Sequence, residues 1–510
     1  MSQESRTRKT FLNARVNLIF YFLTLLLSFF SRKIFLDILG ADFVGLTGTL
    51  QTLLGFLNIV ELGIGTAVGY VLYKPLFEQN QQKINEIISV FGYMYRWVGK
   101  IILIAGFILS LFLPLIFPNT GFELLVIFLA YYSFLTSSLI GYFINYRQTL
   151  LSADQKNYVV TAYFQTGNII KTIIQMISAY YTRNYYLWIV IDFTFGIIYT
   201  FILNWKINKT YPWLKSNVRS GKELVKKYPE IIKLTKQVFV HKIGGLAQFQ
   251  MTPFLIYAYI SLPTVAIYNN YIIITDKLNL LLNNFLGSTT AGVGNLVAEG
   301  DKVKNLRVYW ELTVIRFFIS LSIIFSLYYV IPPFIHLWLG DEYLLSNLTL
   351  ICILIIFALN ILRGTTDQFI NAHGLYGDVW APIVEALIYF IVAIIGGYYY
   401  KLAGVLSGNI ISLLIIIHIW KPYYLFKKGF NLPVCVYWGG LFKYLGLSFL
   451  VFYFYFFFDN DIKMYIDVST WQSFILYSII VGLYHVLTLF IILYLGTNGM
   501  KSFMRRLCRK

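Results

Sequence analysis

Residues 16–38 read VNLIFYFLTLLLSFFSRKIFLDI, an apolar run that carries two cations, Arg32 and Lys33, near its end. A helix needs about 20 such residues to cross roughly 30 Å of hydrocarbon. Similar runs recur along the whole chain, and 58% of its 510 residues are hydrophobic while only 13% are charged. The runs are continuous and lack the alternation that marks membrane strands. The sequence therefore predicts an all-α polytopic membrane protein.

The apolar runs divide into about fourteen predicted transmembrane helices. They cover residues 16–38, 44–73, 86–115, 122–147, 157–181, 185–205, 237–260, 264–297, 308–332, 346–370, 379–399, 402–420, 434–457 and 470–497. The segment 264–297 is predicted to be one long helix, because Pro263 suits a helix start and no proline follows it. A secretory signal is not predicted, since no small-residue cleavage site ends the first run.

Lys and Arg are distributed unevenly between the two sides of these spans. Of 41 such residues, 28 lie on the side of the N-terminus, 3 on the other side and ten within the spans. Because cytoplasmic loops are enriched in Lys and Arg, both termini are predicted to be cytoplasmic. Most of the net charge of +18 is thus explained by the orientation of the chain in the membrane, and the rest by contact with anionic lipid headgroups. No nucleic acid partner is predicted.

Cysteines and histidines give no sign of a metal site or another cofactor. Cys352, Cys435 and Cys508 lack metal-ligand spacing, and the five histidines are scattered. We predict no cofactor and no metal.

Four pairs of short segments show that the chain is internally duplicated. The pairs are DFVG (42–45) with PTVA (263–266), GIGTAVG (63–69) with TTAGVGN (289–295), EQNQQKI (78–84) with EGDKVKN (299–305), and RQTLLSADQKNY (147–158) with TDQFINAHGLYG (366–377). The similar offsets, between 219 and 226 residues, predict two parallel lobes related by an axis along the membrane normal. The glycines of the second pair, and also Gly404 and Gly408, are predicted to be sites of close helix packing.

The duplication leads to a division of the chain into four parts. The predicted parts are an N-terminal six-helix lobe at 1–205, a basic cytoplasmic linker at 206–236, a C-terminal six-helix lobe at 237–420, and a segment at 421–510 with the last two helices and a basic cytoplasmic tail.

Three of the segments carry a resemblance to a known family. They are RKIFLDILGADFVGL (32–46), LGIGTAVGYVLYKPL (62–76) and RQTLLSADQKNY (147–158). The chain resembles the polysaccharide flippases of the multidrug/oligosaccharidyl-lipid/polysaccharide exporter superfamily. Within it the chain looks most like O-antigen or capsule repeat-unit flippases, and more distantly like the lipid II flippase.

The resemblance implies a transporter whose two lobes rock to open a central cavity to each side of the bacterial inner membrane in turn. The implied cargo is an undecaprenyl-diphosphate-linked glycan, with the last two helices bordering the groove for its prenyl tail. Membrane lipids and the polysaccharide polymerase machinery are the other implied partners.

Ten cations lie inside the predicted spans, where a charge costs from about 3 to well over 10 kcal/mol and usually faces a wet interior. They are Arg32, Lys33, Arg96, Lys100, Lys171, Lys242, Lys277, Arg316, Arg363 and Lys443. The acids away from the span ends are Glu61, Asp192, Asp276, Glu311, Asp367 and Glu385. Asp37, Glu86, Glu123 and Arg147 lie within two residues of a span end and are not counted. The surplus of positive charge indicates a pathway for an anion, and a diphosphate fits the paired donors of arginine.

Five of these cations are candidates for contact with the cargo, namely Arg32, Arg96, Lys100, Lys277 and Arg316. Arg32 could instead reach the outer headgroups, while Arg96 and Lys100, four residues apart, share one helix face. Arg96 could instead snorkel to the inner surface, and packing against Glu61 could explain one of the two.

Four further residues are candidates for coupling or ion pairing. Glu61 implies a cation partner or proton coupling, because an unpaired buried carboxylate would protonate. Lys171 is predicted to pair with Asp192, since their helices are neighbours. Asp276 is adjacent to Lys277, and the two point about 100° apart on a helix. Arg363 and Asp367 are predicted to form an i,i+4 ion pair, which is the structural alternative to a cargo role.

Two other classes of function compete with a flippase. A drug or metabolite cation antiporter of the same superfamily would be expected to have an acid-dominated cavity. A membrane-embedded glycosyltransferase or polymerase would be expected to show acidic metal-binding clusters or a large external loop. Neither pattern is present in the sequence, and no covalent reaction is predicted.

Overall fold

The computed structural model describes residues 6–507 except 62, 119, 155, 288, 376, 466 and 467. All regular secondary structure in the described residues is helical, and the chain forms two compact units, Met1–Ala266 and Ile267–Lys510. We refer to these as unit 1 and unit 2.

Unit 1 is built from ten helices and the start of an eleventh among the described residues. They are α1 (Arg6–Leu57), α2 (Ile64–Phe77), α3 (Gln81–Leu111), α4 (Leu113–Ile116), α5 (Leu124–Phe143), α6 (Gln148–Ala153), α7 (Asn157–Thr182), α8 (Tyr185–Thr210), α9 (Gly221–Lys227), α10 (Pro229–Tyr259) and the beginning of α11 (Leu262–Gly287). Short 3₁₀ segments, Asn58–Glu61 and Asn145–Arg147, lie between some of them.

Unit 2 contains most of α11 and eight further helices in its described residues. They are α12 (Thr290–Ala298), α13 (Lys302–Leu339), α14 (Asn347–Ala372), α15 (Ala381–Ser412), α16 (Lys421–Tyr424), α17 (Cys435–Tyr465), α18 (Trp471–Gly496) and α19 (Asn498–Leu507). A 3₁₀ segment, Asp341–Tyr343, precedes α14, and two π-helical segments, Leu413–Trp420 and Leu425–Phe430, flank α16.

The predicted all-α membrane fold is confirmed. Eight helices of the described chain are long and apolar enough to cross a membrane, and two of them, Arg15–Leu57 and Ala381–Phe430, each contain more than one predicted span. The chain leaves helical geometry inside these two at Gly40, where φ is 86°, and at Lys401, where φ is 52°. Helical segments thus occur at each of the fourteen predicted spans.

One predicted span differs in detail. The segment 264–297 is divided between α11 and α12, so the prediction of a single long helix was wrong. No proline is needed for this break, because α11 ends at Gly287 and glycine is a poor helix former.

The same kind of break occurs in the second span of unit 1. There α1 ends at Leu57, a 3₁₀ turn follows, and α2 starts after Gly63, whose φ is 92°. The repeated motifs GIGTAVG and TTAGVGN therefore each begin at a helix break and continue into the next helix. Gly69, Gly292 and Gly294 have open space where a Cβ would be, so the prediction of close packing fails for them.

The interior of unit 1 is a continuous apolar cluster. Leu46, Phe91, Tyr131, Leu151 and Ile207 have no exposed surface, and they come from five different helices. Because lipid is as apolar as these side chains, close van der Waals packing holds such helices together.

In unit 2 the two parts of α15 meet through glycines on either side of the turn at Lys401. A Cβ on Gly404 would lie 1.8 Å from the carbonyl oxygen of Gly396, and one on Gly408 would lie 2.8 Å from that of Tyr389. The prediction of close packing at Gly404 and Gly408 is confirmed.

The predicted linker, residues 206–236, is bonded to unit 1 through its backbone. The amide of Lys215 donates to Oδ1 of Asn85 over 2.7 Å, and the amide of Asn217 donates to Oγ of Ser89 over 2.9 Å. This segment therefore lies against the beginning of α3.

Two buried tyrosines add side-chain bonds to the same attachment. Tyr211 donates to Oδ2 of Asp154 over 2.7 Å, and Tyr228 donates to Oε2 of Glu86 over 2.6 Å. Burial and the neighbouring carboxylates raise the pKa of both phenols above the ordinary value, so both stay protonated and keep donating. The division of the chain at 205 and 236 stays a prediction, but this segment is an ordered part of unit 1.

Candidate functional site

Glu61 lies at the helix break of the second span, between α1 and α2. Its carboxylate accepts a hydrogen bond from Tyr95 and another from Tyr142 at 2.7 Å. Tyr142 also lies 3.0 Å from Oδ1 of Asn58, which accepts from Ser138 as well. A carboxylate thus joins the 3₁₀ turn to α3 and α5.

No cation takes part in this network within the described side chains. Hydrogen bonds from two phenols satisfy the carboxylate oxygens of Glu61 but bring no opposite charge to it. The ion pair considered from the sequence is not formed with a described Lys or Arg, and a coupling role for Glu61 stays a prediction.

Arg32 is half-buried on α1, and its guanidinium faces the start of α11. Its Nη2 donates to the carbonyl oxygen of Ala266 over 2.8 Å. The neighbouring Lys33 is exposed, with its Nζ 3.9 Å from Oδ2 of Asp37. The two adjacent cations therefore differ in exposure, and Arg32 reaches a backbone acceptor beyond its own helix.

Arg96 and Lys100 share an exposed face of α3, as their spacing predicts. Lys100 lies over the ring of Trp97, with its Nζ 5.4 Å from the ring centroid. The face continues with the exposed apolar residues Ile104 and Phe107. An anchor at the membrane surface would have this placement, and the proposed contact of both cations with the cargo stays a prediction.

Lys171 and Asp192 form the predicted ion pair between α7 and α8. The Nζ of Lys171 lies 2.6 Å from Oδ1 of Asp192, and both side chains are largely buried. The pairing prediction is confirmed. Both residues also line one end of a cavity in unit 1.

Asp276 and Lys277 lie near the middle of α11. Asp276 is exposed and Lys277 is half-buried. Their role in cargo contact or coupling stays a prediction.

Arg316 is buried between α13 and α14, with only 4% of its surface exposed. Its Nη1 donates to the carbonyl oxygen of Ile361 over 3.3 Å, and its guanidinium lies directly against Gly364. A Cβ on Gly364 would be 2.4 Å from Nη1, so the glycine is what makes room for the charge. Cargo contact by Arg316 would require α14 to move.

The predicted ion pair of Arg363 with Asp367 lies on the same helix, α14. The Nε of Arg363 is 2.8 Å from Oδ2 of Asp367, which confirms the prediction. Among the ten cations of the spans, Lys242 has a side chain that lies outside the described residues.

The sequence reasoning missed two groups of polar residues. The tyrosines around Glu61 are 34 and 81 residues away from it, and no local pattern predicts them. The amide and hydroxyl side chains of α7 could have been predicted to share one face, because they recur at helical spacing in the fifth predicted span. Within the described residues no cluster of His, Cys, Asp or Glu could hold a metal ion.

The apolar helices define the chain as an all-α multi-pass membrane protein. Its fold is similar to those of solved membrane proteins. No protein-family model matches the chain, and no curated protein matches it by sequence.

Several solved structures share this fold, among them the following two. The lipid II flippase MurJ, in an inward closed conformation, superposes with a TM-score of 0.59 at 16% identity, covering 93% of this chain and 98% of that one. An inward-facing multidrug resistance MATE family transporter of the MOP superfamily gives a TM-score of 0.56 at 14% identity, covering 80% of this chain and 97% of that one.

Proposed function

We propose that this protein flips undecaprenyl-diphosphate-linked oligosaccharide repeat units from the inner to the outer leaflet of a bacterial cytoplasmic membrane by alternating access. Both termini would be cytoplasmic, as the distribution of Lys and Arg predicts. The cargo class would be the repeat unit of a surface polysaccharide such as O-antigen or capsule.

The observation that carries the proposal is the extent of the fold match. The lipid II flippase accounts for 93% of this chain and the MATE transporter for 80%. The difference is similar in size to α17 and α18 combined, the two helices that follow the repeated part of the chain. Helices beyond the two lobes suit a cargo with a long prenyl tail, because that tail can stay in hydrocarbon while only the head crosses.

The charges within the spans support the same cargo. Away from the span ends, ten cations against six acids favour an anionic head such as a diphosphate. A cation antiporter of the superfamily is the second candidate, since the MATE transporter has a comparable TM-score. Glu61 favours it too, because it is a carboxylate with no described cation partner.

Deletion of the gene tests the proposal directly. We expect loss of one surface polysaccharide, accumulation of its lipid-linked repeat unit inside the cell, and restoration of both by the full-length chain. Normal surface polysaccharide together with new sensitivity to cationic drugs would contradict the flippase proposal and favour the antiporter.

A further inference from the structure

A cavity of about 480 Å³ lies in unit 1 between α5, α6, α7 and α8. Its volume falls within the roughly 300–1,000 Å³ of small-molecule sites. The residues that α7 contributes include Asn157, Thr161, Gln165, Asn168 and Lys171. Their spacing of three or four residues places them on one helix face, which gives a transmembrane helix a polar stripe.

Several polar side chains of the cavity make no hydrogen bond within the part of the chain that the structure describes. They are Gln148, Thr161, Gln165 and Asn168, each only partly exposed. At membrane depth an unsatisfied amide costs several kcal/mol. These groups must therefore bond to water or to a ligand that enters the cavity.

Other polar residues of the wall already have partners. Nδ2 of Asn145 donates to Oγ1 of Thr200 over 3.3 Å, and Ser152 donates to Oδ1 of Asn157 over 2.9 Å. Part of the cavity wall is thus fixed by hydrogen bonds, while the amides of Gln148, Gln165 and Asn168 keep donors and acceptors for a ligand.

Aromatic rings complete the lining. Phe164 is 43% exposed, and its ring meets that of Tyr199 edge to face with centroids 5.0 Å apart. Phe195 lines the same space. Amides that both donate and accept, beside apolar ring faces, match the hydroxyls and the C–H faces of a sugar ring.

The charge of the cavity argues against a phosphate. Lys171 and Asp192 are the only charged residues among its described lining, and they neutralise each other at 2.6 Å. A diphosphate would meet a cation that is already paired, whereas a neutral sugar needs only hydrogen bonds.

We propose that this cavity binds uncharged sugar rings of the lipid-linked cargo, which adds a glycan subsite to the proposed function and rests on it. The lining extends along α7 from Lys171 to Asn157, and the latter end is predicted to be cytoplasmic. The cavity would thus receive the sugars on the side where lipid-linked repeat units are assembled, while the diphosphate is bound elsewhere.

The test compares two lipids bound to the purified full-length protein. The probes are undecaprenyl diphosphate and the undecaprenyl-diphosphate-linked repeat unit extracted from the deletion strain, with affinities measured by native mass spectrometry. One variant, Gln165→Leu/Asn168→Leu, removes hydrogen-bonding groups at nearly constant size. A second, Gly141→Leu, fills the cavity, because Gly141 lines it and a Cβ there meets nothing within 4 Å.

Thr166→Val is the matched control, since Thr166 lies on α7 but is exposed and outside the cavity lining. We expect Gln165→Leu/Asn168→Leu to lose about tenfold in affinity for the glycan-bearing lipid, as for two lost hydrogen bonds. Gly141→Leu should lose at least as much because it occupies the space of the sugar, and both variants should keep wild-type affinity for the carrier. The control should behave as wild type for both lipids.

Two results would overturn the glycan subsite. Wild-type affinity for the glycan-bearing lipid in both cavity variants would show that the sugars bind elsewhere. An equal loss for both lipids would assign the effect to the carrier. Failure of the wild-type protein itself to bind either lipid would instead reject the proposed function, and with it the subsite.

Discussion

Arg32 and Lys33 are adjacent in the sequence, yet they differ in exposure and in the groups they contact. Arg32 is half-buried and donates to the carbonyl oxygen of Ala266, which ties α1 to the beginning of α11. Lys33 is exposed and has a distant acidic neighbour, Asp37. A side chain that already satisfies a carbonyl in a partly wet region can exchange that partner for a phosphate oxygen of similar geometry.

We therefore expect Arg32→Ala to reduce export strongly, with the protein still inserted at normal levels. Loss of one charge-assisted contact should weaken cargo binding by roughly 1.5–3 kcal/mol. Arg32→Lys should restore export only in part, because the planar fork is lost while the charge remains. Surface polysaccharide per unit of membrane protein is the measurement.

Lys33→Ala provides the control for that experiment, since it removes a cation one residue away that is exposed. Its export should stay near wild type. Equal export in wild type and Arg32→Ala would mean that Arg32 only anchors the helix.

The ion pair of Lys171 with Asp192 connects two helices at membrane depth, so each partner is costly without the other. We expect Lys171→Met and Asp192→Asn each to lower the free energy of unfolding by roughly 3 kcal/mol. The double variant should be more stable than the sum of the single effects predicts, because it leaves no unpaired charge. Thermal unfolding in detergent measures this, and strictly additive effects would argue against coupling of the two residues.

At the scale of elements, the two parts of α15 depend on glycine for their approach. At Gly404 the backbone of one part of α15 contacts the backbone of the other. No change of side-chain rotamer can therefore make room for a Cβ at this position. Leu and Ile elsewhere on these helices can adjust their rotamers, but a backbone contact cannot be relieved without separating the helices.

Gly404→Ala should therefore destabilise unit 2 by about 1–3 kcal/mol or more and reduce the amount of folded protein in the membrane. Gly482→Ala on α18 is the matched control, because a Cβ at Gly482 meets nothing within 4 Å. Fluorescence-detected size-exclusion chromatography would compare the two. A sharp monodisperse peak for Gly404→Ala at wild-type height would contradict the expectation.

The helices of this protein and the contacts between helices adjacent in sequence could be predicted from the sequence. Contacts between residues distant in sequence could not. Apolar runs and the Lys171–Asp192 pair could be predicted because they depend on composition and on neighbouring helices. The break after Gly287 was missed because no proline marks it. The tyrosine partners of Glu61 could not be predicted either, since they come from helices distant in sequence.

At the scale of the whole molecule, the proposed orientation rests on the distribution of Lys and Arg. Lys222 in α9 and Glu342 before α14 are both exposed and belong to loops that the count assigns to opposite sides. They also lie in different units, so labelling at these two positions tests the predicted membrane orientation of both units.

In a variant without native cysteines, Glu342→Cys should react with a membrane-impermeant maleimide in intact spheroplasts. Lys222→Cys should react only after the membrane is permeabilised. Labelling of Lys222→Cys in intact spheroplasts would reverse the orientation on which the proposed direction of transport depends.

The attachment of residues 211–228 to unit 1 has a consequence for how the protein is made. The hydrogen bonds described for this segment go to Asn85, Glu86, Ser89 and Asp154, all of which leave the ribosome earlier. The segment can form these hydrogen bonds as it leaves the ribosome, because the residues that bind it have already been synthesised. Unit 2 has not been synthesised at that point. The first half of the chain can thereby complete these hydrogen bonds during translation, without waiting for the second half.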